Sequence, residues 1–363
     1  MRPRPCWPFV IVLVILSCSR AAANPIRNRL ALNRINRGLA GRVLDFTHNH
    51  GADNRLWSPA LAERRDLYVY LPPGFDPCQR YPLVFWLHGF AQDEMSFLLD
   101  VVPPLDRAIT CGKLPPVVLA APDGSFKGRA CFFSAGSFYL NSRAGAFEDY
   151  LMCDVWNFLH EHFPIRPERE AHVMAGVSMG GGAAYNKGIK YRDRIGTVLG
   201  IFPPLNTRWV DCHGRYRGNF DPDCWGWRND FSRRREVVAR FYGVFAVHMG
   251  QVVRPLYGND PETVELVRRD NPVEMLDLYD LKEGELDMFV AYGKKDQFNL
   301  DAQIESFLYV ARCRGLTVTS YVNPRGRHDR TTALGFFDEA IDWLAPRLAP
   351  YSPPLAVLAP HGP

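Results

Sequence analysis

The stretch from Ala171 to Tyr185 constrains the fold of this chain more than any other. It centres on a G-x-S-x-G motif, Gly176 to Gly180, with Ser178 in the middle. An apolar run before the serine and small residues after it predict a buried strand, a sharp turn and a helix. The glycines allow strand and helix to approach closely, and the helix start would point N–H groups at an oxyanion. We interpret Ser178 as a nucleophile; a plain strand-to-helix turn is the alternative.

The first 23 residues have the pattern of a secretory signal peptide. Arg2 and Arg4 give a positive start, Phe9–Leu16 is an apolar core, and residues 21–23 offer an A-x-A cleavage site. This core is too short to span a bilayer comfortably. We therefore expect an exported protein, periplasmic or secreted, without stable membrane insertion after cleavage. A lipoprotein with Cys18 as the lipidated residue is the alternative.

The charge and cysteine content limit which partners and which cellular compartment can be expected. The chain of 363 residues has 43 Lys and Arg against 39 Asp and Glu, and the leader holds three of the arginines, which leaves 40 against 39. This balance gives no reason to expect a nucleic-acid partner. Seven cysteines remain after cleavage. We favour Cys212 and Cys224 as a disulfide pair because they share one loop and export permits disulfides.

Apolar runs alternate with helical patterns from Arg65 onwards, which predicts a mostly parallel sheet covered by helices on both faces. The predicted strands are Asp66–Leu71, Tyr81–Leu87, Val117–Ala121, His172–Ala175, Ile195–Ile201, Leu286–Tyr292 and Thr317–Val322, with Val43–Phe46 as a further edge strand. The predicted helices are Phe147–His162, Ala302–Arg314 and Thr332–Leu344.

The domain organisation follows from where this alternation holds. A polar lead-in, residues 24–60, precedes the main domain, residues 61–348, and a Pro- and Ala-rich flexible tail, residues 349–363, follows it. The lead-in contains His48–Asp53, whose residue types could bind a metal. Loop chemistry explains this motif as well, and no spacing resembles a zinc site, so we expect no metal.

Residues 205–277 interrupt the alternation and concentrate Trp209, Trp225 and Trp227 with several arginines. The segment follows the strand after the serine motif, at the edge of the sheet where α/β proteins bind ligands. We interpret it as a cap or lid insertion that lines an aromatic substrate cleft. A surface excursion held by a disulfide is the alternative, and Arg233–Arg235 is predicted to be a solvated helix face.

A serine hydroxyl becomes a good nucleophile only with a base beside it and an acid that orients the base. Where the nucleophile lies on such a strand-to-helix turn, the acid and the base follow it in the chain in the order Ser, Asp/Glu, His, each on a loop after a strand. His328 follows the last predicted strand and is the predicted base, with a surface-loop histidine as the alternative. Asp296 directly follows a buried strand and is the predicted acid. Asp301 competes with it, or caps the next helix.

An oxyanion hole needs two N–H donors. We assign one to Met179, the residue after the serine, and the other to Phe90, in the turn that follows the second predicted strand. His88 lies in the same turn, and we interpret it as a structural brace for that loop.

Together these motifs resemble the Putative esterase family (esterase D, feruloyl esterase and antigen 85-like) of the α/β-hydrolase fold. The resemblance covers roughly Asp66 to Leu348 and implies ester hydrolysis through a serine acyl-enzyme without a cofactor. It carries the nucleophile onto Ser178, the acid onto Asp296 and the base onto His328. The matching segments are Tyr68–Phe75, Tyr81-Pro82, Leu87–Gly89, Pro122–Gly124, Phe147–Tyr150, Ala175–Gly181 and Tyr292–Asp296, in which Glu148 and Asp149 are the acidic pair, interpreted as loop-bracing groups.

The sequence therefore predicts an exported serine carboxylic-ester hydrolase whose substrate is a small-molecule or polysaccharide-linked ester. Export and the aromatic-rich cap favour feruloyl or acetyl esters of plant polysaccharides. Two alternatives stay open at this point: a serine peptidase of the same fold, and a non-catalytic protein that binds carbohydrate or another surface through the aromatic segment.

Overall fold

The core of the protein is one sheet of eight strands, seen in a computed structural model that describes residues 32–129, 136–241 and 245–354. The strand order is β1-β2-β4-β3-β5-β6-β7-β8. Strands β3 to β8 run parallel, and β1 and β2 join antiparallel at one edge. The strands are β1 Arg42–Phe46, β2 Leu67–Leu71, β3 Leu83–Leu87, β4 Val118–Pro122, β5 His172–Val177, β6 Thr197–Ile201, β7 Asp287–Gly293 and β8 Thr319–Asn323.

Four of the inner strands are buried along their whole length. Every residue of β2, β3, β4 and β6 is buried, so both faces of the sheet are covered. This is why the sequence shows continuous apolar runs rather than alternation, and the predicted α/β class with a mostly parallel sheet is confirmed. Only β8, at the edge, is largely exposed.

The helices that the sequence predicted are present, the last of them in two parts, and the first, Val102–Thr110, is a helix that was not predicted. The predicted helix Thr332–Leu344 is two helices, because Gly335, a poor helix former, interrupts it. The second of them continues to Leu348, and a 3₁₀ turn, Ala349–Tyr351, follows it. The helices are α1 Val102–Thr110, α2 (residues 147–162, with a π-helical middle), α3 Met179–Lys190, α4 Met249–Tyr257, α5 Thr263–Asp270, α6 Pro272–Leu278, α7 Leu300–Cys313, α8 Arg330–Leu334 and α9 Phe337–Leu348.

Three predicted features fall wholly or partly outside the described residues. The signal peptide with Cys18 lies there, as do residues 24–31 of the predicted lead-in and residues 355–363 of the predicted tail. The beginning of that tail is held, because Arg166 Nε donates a hydrogen bond to the Tyr351 carbonyl at 2.8 Å. Within the described ranges, no helix has both the length and the apolar character needed to cross a membrane.

Residues 205–277, called the cap segment below, contain strands that the sequence pattern did not predict. Trp209–Asp211 pairs with Trp225–Trp227, and Val237–Phe241 pairs with Phe245–His248. Cys212 and Cys224 form a disulfide beside the first ribbon, the pair that the sequence favoured. A small apolar cluster that includes Phe231, Val247 and Val267 stabilises the segment from within. Arg233–Arg235 is exposed in a turn, not on the predicted helix face.

Glu148 joins the start of α2 to the end of α3. Its side chain is 4% exposed and accepts hydrogen bonds from Lys187 Nζ at 2.5 Å, from Lys190 Nζ, and from the Tyr191 hydroxyl at 2.7 Å. Burial by itself raises the pKa of Glu148. The charge and hydrogen bonds of these neighbours outweigh burial and lower the pKa to about 2.

We expect Glu148→Gln to destabilise the protein in a pH-dependent way, because Lys187 is fully buried and loses its counter-charge. Breaking such a pair costs about 3–5 kcal/mol. The wild-type advantage is complete above the unfolded-state pKa of about 4.5 and is lost as the pH falls towards 2, where Glu148 binds a proton in both states. Denaturant unfolding of both proteins near pH 7 and near pH 2.5 measures this difference in the free energy of unfolding.

Glu161→Gln is the matched control, since Glu161 is exposed on the same helix. It should unfold like the wild type at both pH values. A Glu148→Gln penalty of the same size at both pH values would contradict the assignment of a buried, charged Glu148.

Candidate active site

Ser178 lies at the sharp turn between β5 and α3. Its backbone has φ 54° and ψ −121°, a conformation that non-glycine residues adopt only at a cost. The turn is possible because Gly176 and Gly180 pack against each other and against β3. A Cβ on Gly180 would lie 2.0 Å from the Leu87 carbonyl oxygen. The strained turn lifts the serine side chain out of the sheet into two adjoining cavities.

Asp296, His328 and Ser178 form one chain of hydrogen bonds. His328 Nδ1 lies 2.8 Å from Asp296 Oδ2, and His328 Nε2 lies 2.9 Å from Ser178 Oγ. A carboxylate can only accept a hydrogen bond, so Nδ1 carries the proton and Nε2 is the acceptor for the serine hydroxyl. The side chain of Asp296 is completely buried and that of His328 is 11% exposed. The three residues therefore have the geometry of a nucleophile, a base and an orienting acid.

The loops that carry Asp296 and His328 contact each other at Gly293 and Gly326. A Cβ on Gly293 would lie 2.4 Å from Gly326, so any larger residue would separate the loops. Backbone hydrogen bonds from Lys294 and Lys295 then join them.

The imidazole of His328 is held on several sides. The rings of Phe202 and Phe298 pack against it at centroid distances of 4.6 and 4.8 Å. Gln297 Oε1 accepts a hydrogen bond from the His328 backbone N–H at 2.7 Å. These three residues belong to no sequence motif, and the sequence analysis missed them.

The turn after β3 lies beside Ser178. A Cβ on Gly89 would be 3.4 Å from the Ser178 Cβ, and Phe90 and Met179 line the same cavity as Ser178. Met179 is the first residue of α3, so its N–H is among those that have no partner within the helix. His88 is buried; its Nε2 accepts a hydrogen bond from the Gly124 N–H at 2.8 Å, and its Nδ1 donates to the Gly89 carbonyl at 2.9 Å.

Asp301, the competing acid, lies in the first turn of α7, away from His328 Nδ1. Burial raises the pKa of Asp301 to about 6, and its nearest cation is Lys294 Nζ at 3.9 Å. It does not cap the helix, because Asn299 precedes the first helical residue.

The acidic pair and the His48–Asp53 motif make structural contacts. Asp149 accepts a hydrogen bond from Asn141 Nδ2 at 2.8 Å. His48 Nδ1 lies 2.9 Å from Asp66, and His50 Nε2 lies 2.7 Å from the Tyr68 hydroxyl.

The described part of the chain contains two groups of residues of the types that bind metals, and within each group the potential ligand atoms lie within 4.8 Å of one another. One contains the disulfide Cys212–Cys224. The other is the buried trio Asp66, Glu94 and Asp123. Arg65 Nη2 pairs with Asp123 at 2.7 Å, and burial raises the pKa of Glu94 well above its usual range. Arg65 thus supplies an internal counter-charge for this trio, and burial favours the neutral form of Glu94.

Two cavities meet at Ser178. The first, called the cap-side cavity, has a volume of about 120 Å³ and mainly apolar walls, half of whose residues come from the cap segment. The second, called the His328-side cavity, has a volume of about 270 Å³ and includes the polar residues Gln92, Asp100 and Arg330. It continues into an open surface groove that also contains Asp100 and Arg330. Ser178 can therefore reach a molecule that occupies both cavities.

The cap segment lines the first cavity, but not with its tryptophans as the sequence analysis expected. Trp209 is fully buried but does not line the cavity, and Trp225 and Trp227 contact each other away from it. The three tryptophans belong to the strands of the first ribbon, which do not line the cavity. The cap-segment part of the wall comes mainly from the helices after the second ribbon, with Thr207, Tyr216, Phe231 and Val238. The aromatic residues of the described wall are Phe90, Phe138, Tyr216, Phe231, Tyr257 and Phe298.

Two solved structures have the same fold. A ferulic acid esterase aligns with a TM-score of 0.62 and 17% identity, over 85% of this chain and 99% of its own. An S-formylglutathione hydrolase from Agrobacterium tumefaciens aligns with a TM-score of 0.60 and 17% identity, over 85% of this chain and 96% of its own. At this identity the likeness concerns the fold alone. The protein has the α/β-hydrolase fold that the sequence predicted.

The family follows from sequence. The family model described as Putative esterase matches residues 58–331, so this chain belongs to that family, and the resemblance drawn from the motifs is confirmed. An endo-1,4-beta-xylanase/feruloyl esterase from Xylanibacter ruminicola is 28% identical over 147 residues, which are 38% of this chain and 19% of that protein. The chain matches between 9% and 36% of the length of the first curated relatives.

Proposed function

We propose that this protein is an exported serine carboxylic-ester hydrolase that acts through an acyl-enzyme on Ser178. The observation that carries the proposal is the hydrogen-bond chain from Asp296 through His328 to Ser178 Oγ. Membership of the Putative esterase family and a relative named as a feruloyl esterase support the same chemistry.

In the first half-reaction, His328 Nε2 takes the proton of Ser178 as its Oγ attacks the ester carbonyl carbon. The carbonyl oxygen becomes an oxyanion, which accepts hydrogen bonds from the N–H groups of Met179 and Phe90. When this intermediate collapses, the ester C–O bond breaks and the imidazolium gives its proton to the leaving alcohol. Asp296 keeps the imidazole oriented and stabilises its charge throughout.

In the second half-reaction, water enters in place of the alcohol. His328 removes a proton from this water, whose oxygen attacks the acyl carbon and forms a second oxyanion. The Ser178–acyl bond then breaks, Ser178 recovers its proton from His328, and the carboxylic acid leaves. No cofactor takes part in either half-reaction.

The two cavities favour one orientation of the substrate. The leaving alcohol must face His328 to receive its proton, and His328 lines only the second of the two cavities. The alcohol therefore occupies the His328-side cavity and the acyl group occupies the cap-side cavity. The cap segment closes over the acyl group, which agrees with a cap or lid role for residues 205–277.

A polysaccharide-linked ester, feruloyl or acetyl, fits this orientation. The His328-side cavity leads into an open groove, so a long alcohol can extend along the surface. Export is supported by the signal-peptide pattern and by the disulfide Cys212–Cys224, since disulfides persist in oxidising compartments.

We expect the purified protein to hydrolyse p-nitrophenyl esters with a burst of p-nitrophenol equal to the amount of enzyme, followed by slower turnover as the acyl-enzyme is hydrolysed. Matched p-nitroanilides should react much more slowly. Stopped-flow absorbance measures both. Faster cleavage of the anilides would favour the peptidase alternative. Absence of any turnover by the folded protein, combined with glycan binding, would favour the non-catalytic alternative.

A further inference from the structure

Gln92 closes the turn after β3, which brings Phe90 to the cavities around Ser178. It is half-buried in the wall of the His328-side cavity. Its side-chain oxygen, Oε1, accepts a hydrogen bond from the Gly89 N–H at 2.8 Å, and its backbone N–H donates to the Gly89 carbonyl at 3.2 Å. Gln92 therefore holds the peptide groups on both sides of Gly89.

The direction of the Phe90 N–H follows from that of the Gly89 carbonyl, because both belong to one planar peptide group. A trans peptide points its N–H and its C=O in opposite directions. The Gly89 carbonyl accepts from two donors, the Gln92 N–H and His88 Nδ1, the latter at 2.9 Å. The Phe90 N–H is thereby directed away from these donors, and it has no hydrogen-bond partner within the described ranges.

The turn needs support because one of its residues has an unfavourable backbone conformation. Ala91 has φ 60°, in the left-handed region that residues with a Cβ adopt only at a cost. Gly89 is buried, so without Gln92 Oε1 its N–H would lose the partner that it has now. Because an unpaired buried N–H is costly, the turn would then shift towards a conformation that pairs it.

From these contacts we propose that Gln92 is a positioning residue of the oxyanion hole. It fixes the peptide between Gly89 and Phe90, so that the Phe90 N–H is in place for the oxyanion that forms beside Ser178. Such donors stabilise a transition state most when they are oriented before the reaction begins. Gln92 acts through the turn and not on the reacting atoms. The inference rests on the proposed function, since it requires the oxyanion of ester hydrolysis.

Gln92→Met tests this role, because methionine keeps the length of the side chain but has no oxygen to accept from Gly89. We expect kcat for p-nitrophenyl acetate to fall by about 10–100-fold, less than the roughly 10²–10³-fold cost of losing an oxyanion donor outright. Both half-reactions form an oxyanion, so both should slow together and KM should change little. Gln79→Met, the same substitution in an exposed turn, should keep the wild-type kcat.

Two ketone inhibitors separate loss of the oxyanion hole from a general loss of fit. Ser178 Oγ adds to the carbonyl carbon of an aryl trifluoromethyl ketone, the serine proton passes to His328, and the carbonyl oxygen becomes an oxyanion. The corresponding methyl ketone binds without this addition. Gln92→Met should weaken inhibition by the trifluoromethyl ketone by about the same factor as kcat/KM, and should leave inhibition by the methyl ketone unchanged. A purely structural role would change both inhibitors alike.

Gln92→Asn is a second variant, which decides the question if Gln92→Met does not fold. Asparagine is one methylene shorter, so it does not reach the Gly89 N–H, and its polar amide suits a half-buried position. It should show the same fall in kcat at nearly constant KM. Thermal unfolding verifies that each variant is folded.

Failure of this inference is distinct from failure of the proposed function. A folded Gln92 variant that keeps the wild-type kcat, or one in which only KM rises, would overturn the role of Gln92 while the esterase activity stands. A folded wild-type protein that hydrolyses no ester, and whose Ser178 does not react with a fluorophosphonate, would overturn the proposed function and this inference with it.

Discussion

Replacing Ser178 with alanine should lower the turnover of any ester substrate by a factor of roughly 10⁴–10⁶, because the variant has no group that can form the acyl-enzyme. His328 and Asp296 would stay paired at 2.8 Å, and both cavities would keep their walls, so substrate binding should persist. Steady-state kinetics with a p-nitrophenyl ester measures the loss, and inhibition by the unreacted ester in competition assays measures binding.

Two controls accompany Ser178→Ala. Ser232→Ala, at an exposed serine of the cap segment, should leave turnover unchanged. Ser178→Gly should be equally inactive but more stable than Ser178→Ala, by about 1 kcal/mol, since glycine adopts φ 54° without steric cost. Esterase activity close to that of the wild type in either Ser178 variant would refute the nucleophile assignment.

Replacing Asp296 with asparagine should lower kcat by a factor of about 10⁴ while leaving the fold intact. An asparagine amide keeps the shape of the carboxylate but can donate a hydrogen bond to His328 Nδ1. The imidazole would then hold its proton on Nε2, where it could not accept the proton of Ser178 Oγ. The expected change is therefore in kcat, with little change in KM.

Asp301→Asn is the matched comparison, because Asp301 was the competing acid and lies five residues further along the chain. It should retain most of the wild-type kcat, since Asp301 has no contact with the His328 imidazole in the described hydrogen-bond network. The reverse result, with Asp301→Asn inactive and Asp296→Asn active, would assign the acid to Asp301.

Much of the sheet could be predicted because a buried parallel strand must be apolar on both faces. The runs at Tyr81–Leu87 and Ile195–Ile201 mark strands whose observed ends differ by at most two residues. The nucleophile turn could also be predicted from the sequence, because only glycine fits at positions 176 and 180, two residues to either side of Ser178. The order of Ser178, Asp296 and His328 also led to the three residues that the structure brings within hydrogen-bond distance. Their catalytic roles stay predictions.

The cap segment could not be predicted in the same way. Its strands have three to five residues, too short for an alternation pattern, and they depend on the disulfide Cys212–Cys224 and on their own small core. The composition of a segment also does not show in which direction a given side chain points. Trp209 therefore looked like a cleft residue, but it is fully buried and does not line the cavity.

The residues that pack around His328 could not be predicted from the sequence for a further reason. Phe298, whose ring packs against His328, belongs to a loop with no motif, and its carbonyl oxygen accepts a hydrogen bond from the hydroxyl of Tyr216 in the cap segment. Contacts between segments more than 80 residues apart arise only from the tertiary fold. A single sequence carries no local signal for them.

The most direct test of the proposed nucleophile is mass spectrometry of the purified chain after reaction with a fluorophosphonate probe. Such a probe reacts with a serine whose hydroxyl is activated by a neighbouring base. We expect one label per molecule, on the peptide that contains Ser178, and no label on the Ser178→Ala variant. A folded wild-type protein that takes up no label, or one labelled at a different serine, would contradict the assignment of Ser178.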